Sequence, residues 1–506
     1  MFELIPGKLS IKNISELLNS DKKIKLISSA YTRMENSYRI VQDVIKQDLS
    51  VYGINTGFGL LASKKIRKEE LKDLQRRLVL SHAAGVGERL DDDIVKLIIL
   101  LKINSLAQGY SGISVELVDT LIEIYNHGIY PVIPSQGSVG ASGDLAPLAH
   151  MSMTIMGEGD AIYKGELLTS KEALYRAGIV PVELREKEGL ALLNATQVST
   201  AIALYGLMKA QVNFTVATIA GAISIDAIQG SIKPFSRFIH EAKNSKDQME
   251  FAEIMSDIIK DSEILYSHTG CLRVQDPYSI RCQPQVMGAI LRHFKSSQEN
   301  LINEANGVSD NPLICPDTGE IVSGGNFHAE MTAISADVIT IACSEIGAIS
   351  ERRISLLIDQ NLSGLPAFLI KDPGLNSGFM LAHVTASALA SENKTLSHPA
   401  SVDSLPTSAN QEDHVSMATF GANKLVKVAD NVLNILAIET LAACQGVDFR
   451  APLKTSKILQ KQISLIRAEV SFYDQDRFFA KDINTAREII SRPSYYQWLR
   501  EKIFGY

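Results

Sequence analysis

Apolar side chains recur every three or four residues along much of this chain, the period of a helix that buries one face. The spacing predicts helices over residues 11–18, 22–45, 69–84, 91–107 and 115–127. Acidic residues open the fourth, where negative charge suits the amino-terminal end of a helix, and Gly128 closes the fifth. Between the second and third, Val51 to Gly59 breaks the period as a glycine-punctuated loop. Pro131 and Pro134 forbid helix until the glycine-rich stretch Ser135 to Asp144 has passed. Asp144 is then placed to cap a helix over 145–156, whose early Pro147 is tolerable in a first turn. Alternation of period two is rare; residues 161–168 read as a hairpin about Lys164-Gly165.

Beyond Pro181 the pattern changes. Residues 195–228 are a nearly unbroken run of small and apolar side chains, and a helix apolar on most faces is buried on most faces. Residues 328–357, 376–395 and 410–444 look similar, with turns at Pro373-Gly374, Pro399 and Pro406. Several long, mostly buried helices imply a central bundle extended by packing between subunits. The expected fold is mostly α: a smaller mixed, loop-rich N-terminal domain over 1–229 that carries the glycine loop, then a helical bundle over 230–506.

Composition narrows the function classes. With 506 residues, 45% of them hydrophobic, the chain has material for a large core. A net charge of -7 without a Lys/Arg block argues against a nucleic-acid or anionic-membrane partner. The most apolar windows read as too short or too often interrupted for a lipid span, and the first residues lack a signal-peptide pattern. Five scattered cysteines (Cys271, Cys282, Cys315, Cys343, Cys444) suit reduced thiols in the cytoplasm. No H-E-x-x-H or paired C-x-x-C occurs, and His328-Ala329-Glu330 reads as helix surface or interface, so no metal is expected.

The chemistry points to the glycine loop. Gly137, Gly140 and Gly143 recur every third residue, which fits neither phosphate-binding template, and Ser142-Gly143 fails the nucleophile elbow. Ala141-Ser142-Gly143 is by composition a flexible turn before a helix. It also permits backbone chemistry, because the amide nitrogen of Gly143 is unhindered. Pressed onto the Ala141 carbonyl carbon, it would close a five-membered ring. Loss of water from the ring and from the Ser142 hydroxyl would leave an electrophilic methylidene group.

Gly140-Ala141-Ser142-Gly143-Asp144-Leu145-Ala146-Pro147-Leu148-Ala149 resembles the signature of the aromatic amino-acid ammonia-lyase family, and similar blocks run from Tyr52 to about Asp448. The resemblance implies that Ala141, Ser142 and Gly143 form 4-methylidene-imidazol-5-one, with no diffusible cofactor, in a homotetramer whose sites are shared between subunits. It also implies site roles. Tyr52 becomes the candidate base for the β-proton, with Tyr278 and Glu412 as the catalytic alternatives, although a free phenol ionises near about 10 and needs a lowered pKa or a proton relay. Arg281 would bind the substrate carboxylate through its guanidinium fork, with Tyr278 and Gln275 lining the same place and Tyr278 assisting proton traffic. Asn194, which otherwise reads as a cap for the long helix after it, would contact cofactor and substrate. Asp144 would assist dehydration, and Phe327 would lie against the cofactor ring. Many relatives carry Gly where this chain has Ala195, a change expected to narrow the backbone approach only slightly.

Substrate choice rests on two distant blocks. Gln411-Glu412, expected on an active-site helix, resembles the histidine-specific members; the phenylalanine and tyrosine members usually keep the Gln without this Glu. Ser81-His82 points the same way, and residues 376–380, 393–394 and 405–408 add to it. An imidazole has two ring nitrogens, and Glu412 and His82 can pair with both. Such a pocket rejects phenylalanine because its polar groups would be left unpaired. The resemblance therefore implies conversion of L-histidine to trans-urocanate and ammonia, the first step of histidine degradation. The alternatives are a tyrosine or phenylalanine ammonia-lyase or aminomutase, a non-catalytic helical scaffold, and a metallohydrolase.

Overall fold

The computed structural model describes residues 1–47, 49–57, 64–267 and 274–506. Phe58 and Gly59 of the glycine-punctuated loop, and Cys271, lie outside the described residues. The described chain is mostly helical, and its backbone divides into two compact units, each drawn from three stretches. The first holds Met1–Tyr205, Gln298–Asp337 and Pro399–Asn423; the second holds Gly206–Ser297, Val338–His398 and Lys424–Tyr506. The single cut expected near residue 229 differs from this division. The first crossing falls inside the Gln197–Ala227 helix, whose continuous apolar character marks no boundary in the sequence.

In the first unit, helices form at Ile11–Leu18, Ser28–Lys46, Leu71–His82, Asp92–Leu106 and Val115–His127, close to the periodic segments. Their ends follow local chemistry. Ser10 and Asn13 make a reciprocal capping box, Ser114 caps its helix, and Gly128 ends that helix at φ 65°. Residues 22–27 do not join the second helix. Ile24–Leu26 instead pairs in parallel with Phe2–Leu4, burying Ile24 and Leu26 while Lys25 faces out. Three residues of period two are too few to stand out beside a helical period. The hairpin is Asp160–Tyr163 against Glu166–Thr169, turning on Lys164 at φ 52° and Gly165 at φ 80°.

The second unit is a helical bundle. Within it, Asn213 Nδ2 donates to the Ala429 carbonyl at 2.8 Å, and Gly206 lies so close to Leu425 that a Cβ would approach it to 2.7 Å. The buried Arg353 guanidinium pairs with the buried Glu439 carboxylate, Nη2 to Oε2 at 2.8 Å, and Ser224 Oγ donates to the same carboxylate. A buried ion pair is tolerable when its remaining hydrogen-bonding capacity is also satisfied.

Two sequence expectations need correcting. The Glu188–Ala227 and Glu330–Ile358 stretches are, by length and composition, apolar enough to cross a membrane; 94% and 72% of their most apolar windows are buried inside the protein. The last long helix runs Ala418–Asp448, so residues 411–417 lie outside any helix. Ser408, Ala409 and Asn410 hold φ of 49°, 56° and 66°, and an antiparallel bridge between Thr407 and Glu412 closes them into a turn. Gln411 and Glu412 therefore stand on a strained turn rather than on a helix.

Candidate active site

The glycine loop is held from several sides within the first unit. Gly143 sits at φ 82° with its Cα against the backbone of Ala195; a Cβ there would meet the Ala195 oxygen at 2.4 Å. The contact is to main chain, so alanine at 195 is accommodated. Gly140 is similarly confined, since a Cβ would meet Ser416 Oγ at 2.2 Å. Only glycine fits either place.

Asp144 is buried beneath the loop. One carboxylate oxygen accepts from Ser138 Oγ at 2.9 Å and Thr419 Oγ1 at 2.7 Å; the other accepts from the backbone N–H and the hydroxyl of Ser199 at 2.7 and 2.9 Å. It stands at the cap position of the Leu145–Ile155 helix but makes no side-chain cap there. Its carboxylate serves the first turn of the Gln197–Ala227 helix instead, a tertiary cap that local sequence cannot reveal. Asn194 also departs from expectation. It closes the short Glu188–Leu193 helix rather than capping the long one, and its Nδ2 donates to the Ser142 carbonyl at 2.8 Å. Its buried Oδ1 has no hydrogen-bond partner among the described residues. Below it, buried Lys102 donates to the Ala191 carbonyl at 3.1 Å, and burial pushes this amine down to about 7. Buried Lys187 pairs with Asp310 at 2.6 Å.

A cavity of about 740 Å³ opens over the loop. Tyr52, Ser81, His82, Ser142, Asn194 and Glu412 line it together with the apolar Leu78, Leu145, Leu190 and Leu193. This is the usual make-up of a small-molecule site, apolar walls with a few polar groups that fix orientation. Ser142 Oγ donates to Glu412 Oε1, and Thr407 Oγ1 donates to Oε2 at 2.7 Å. Burial by itself would raise the Glu412 carboxyl. Hydrogen bonds from Ser142, Thr407 and Ser408 outweigh it and hold the group below the ordinary carboxylate range. His82 Nδ1 lies 2.8 Å from the Leu78 carbonyl, which can only accept. The neutral ring therefore carries its proton on Nδ1 and leaves the Nε2 lone pair free.

Other expected residues fall outside this lining. Gln411 is exposed on the turn, and Phe327 lies half-buried ahead of the Glu330–Ile358 helix. Gln275, Tyr278 and Arg281 belong to the second unit. There Arg281 lies over the Tyr278 ring at 4.5 Å and donates to the Asp276 carbonyl at 3.0 Å, while Tyr278 is 69% exposed. Lys64 and Arg77 line the cavity without having been singled out in the sequence; they are cations among many, with no spacing signal of their own.

A family model described as aromatic amino acid lyase matches residues 9–468. The chain belongs to the aromatic amino acid lyase family. Histidine ammonia-lyase of Aliivibrio fischeri (strain MJ11) is 55% identical over 502 residues, covering 99% of this chain and 98% of that protein. Histidine ammonia-lyase of Vibrio cholerae is 54% identical over 486 residues, covering 96% and 95%. Among solved structures, histidine ammonia-lyase from Trypanosoma cruzi superposes with a TM-score of 0.92 at 37% identity, covering 99% and 95% of the two chains. Tyrosine aminomutase from Streptomyces globisporus reaches 0.93 at 32% identity, covering 99% and 98%. Backbone likeness thus does not separate the lyase from the aminomutase. The side chains of the cavity must.

Proposed function

We propose that this family member is a histidine ammonia-lyase in action: it eliminates ammonia from L-histidine and leaves trans-urocanate. The observation that carries this reading is that Glu412 and His82 line one cavity with Ser142, the carboxylate within hydrogen-bond reach of the hydroxyl that ring formation removes. That cavity joins the ring-forming serine to the two groups suited to an imidazole. The names of the relatives at about 54–55% identity over nearly the whole chain support the same substrate.

Ala141, Ser142 and Gly143 fit the cyclic methylidene-imidazolone. Gly143 is confined where no side chain could stand, and Asn194 Nδ2 holds the carbonyl that would become the ring oxygen. Once formed, the group supplies an electrophilic carbon for the substrate's α-amino nitrogen. The orphaned Asn194 Oδ1 is left to accept from that amino group. At the other end, the Glu412 carboxylate and the His82 Nε2 lone pair are both acceptors. Two acceptors suit the imidazolium form of the substrate, with an N–H at each nitrogen. A positive ring also acidifies the adjacent β-carbon, so the pair that selects the substrate eases its deprotonation. Tyr52, on the same cavity wall, takes the β-proton once its own has been relayed away.

Tyr278, Arg281 and Gln275 are assigned to the amino-acid end, with Arg281 on the carboxylate, and Phe327 and Gln411 to its surroundings. A homotetramer with shared sites would bring them to the cavity. Exposed apolar side chains along two helices, Met331, Ile334 and Ile341 on one and Met380, Leu381 and Val384 on the other, support such an assembly. The free thiols of Cys282, Cys315, Cys343 and Cys444 fit a cytoplasmic location. The test is direct. Purified protein given L-histidine develops urocanate absorbance, and turnover confined to L-tyrosine or L-phenylalanine would sink this reading.

A further inference from the structure

Among the described residues, the elimination reaction leaves one cluster of ligand-type side chains unused. His328, Glu330 and His414 come from two separate segments of the first unit, and their ligand atoms all lie within 4.8 Å of one another. Glu330 Oε2 stands 3.9 Å from His328 Nδ1 and 4.0 Å from His414 Nε2. Both gaps are too long for hydrogen bonds. The oxygen is nonetheless shielded from solvent and has no hydrogen-bond partner among the described residues. His328 Nε2 lies 3.2 Å from the His414 carbonyl, an acceptor, so the neutral His328 ring protonates there. Its Nδ1 then presents a lone pair toward the Glu330 oxygen. His328 Nδ1 and the Glu330 oxygen, both electron-rich, thus face each other with no proton between them, the exposed His414 ring lies within reach of the same point, and such an arrangement calls for a cation.

We infer that His328, Glu330 and His414 form a binding site for a zinc-class divalent transition-metal ion, with at least one coordination position left to water. Two imidazoles and one carboxylate are a donor set such ions take, with ligand distances of about 2.0–2.2 Å. An ion between Glu330 and either imidazole at those distances spans nearly the observed gaps. The two rings lie parallel, 5° apart with centroids 5.6 Å apart, so one must turn its edge inward. His414 has that freedom, because its side chain is 68% exposed. Bound there, the ion would tie the segment after Phe327 to the one that follows Glu412.

The test is isothermal titration of the chelator-treated, dialysed whole protein with zinc chloride, repeated with cobalt chloride while following its visible absorption. The site predicts one saturable ion per chain and a cobalt spectrum typical of nitrogen and oxygen ligands. H328A and H414A should each weaken binding by at least about tenfold, and E330Q should do the same. H82A should leave binding unchanged, because it removes the imidazole that faces the substrate cavity. Absence of saturable binding in the wild type would overturn the inference. So would loss of binding in H82A with retention in both H328A and H414A, which would place the ion in the cavity. His414 is exposed, so its alanine variant tests the site even where E330Q fails to fold.

Discussion

Ser142 and Glu412 meet in one hydrogen bond, yet the segments that carry them are built in opposite ways. The loop from Ser138 to Asp144 is embedded, its glycines pressed on neighbouring atoms and Asp144 taking four hydrogen bonds from three residues distant in sequence or across the loop. The turn from Thr407 to Glu412 is largely exposed, runs through three non-glycine residues at positive φ, and is closed by a single bridge. One construction suits a group that must be compressed into a ring and never move. The other suits a substrate-reading side chain, which can be changed without disturbing the reagent. On the proposed function, chemistry belongs to the buried scaffold and selectivity to a surface turn.

The contrast can be broken at several depths. Ser142→Ala removes the precursor of the reactive group while barely changing volume, so turnover of L-histidine should fall by on the order of 10³-fold or more with the fold intact by circular dichroism. Glu412→Gln should lower kcat/KM for L-histidine by about 10²- to 10³-fold, yet leave the ring able to form, visible as the same mass deficit as wild type. If Glu412→Gln also abolished the deficit, the separation of reagent from reader would fail. Asp144→Ala should do the reverse of a reader mutation. It strands several buried donors, costs about 3 kcal/mol or more of stability, and should be seen as a lower Tm together with incomplete ring formation. Thr407→Val removes one hydrogen bond to Glu412 from the exposed side and should cost about tenfold in kcat/KM with no change in Tm.

The smallest effect is a pH dependence of the scaffold. Lys102 ionises near about 7 when folded, because burial disfavours its charge, against 10.5 for a free lysine. Between those values the unfolded chain binds more protons, so stability rises with pH; below about 7 both states are protonated and the burial penalty is felt in full. Thermal unfolding followed from about pH 7 to about pH 9 should show Tm rising by a few degrees from this group. Lys102→Met should flatten that rise.

The confinement of the loop was partly legible in the sequence, because its glycines stand where a side chain would clash. Ala141-Ser142-Gly143 is contiguous, and the amide of Gly143 has no side chain beside it. The partners of Asp144 were not legible. Ser199 and Thr419 are ordinary hydroxyl residues whose role depends on where two long helices begin. The same limit applies to residues 411–417. No proline or glycine separates them from the helix that follows, and the bonds of Ser416 and Met417 to the Gly140 and Val139 carbonyls, which hold them as a loop, come from far away in sequence. His82 and Glu412 could be paired through the demands of an imidazole, not through spacing, since they stand far apart along the chain. Long helices announced themselves through unbroken apolar runs, but those runs also hid where the chain passes from one unit to the other.

The most direct test is the intact mass of the purified protein beside that of Ser142→Ala. The wild-type mass should fall short of its sequence mass by two waters, localised by peptide mapping to Ala141–Gly143, and the variant should show no methylidene group. A wild-type mass equal to the plain sequence, in protein that still turns over L-histidine, would contradict the account.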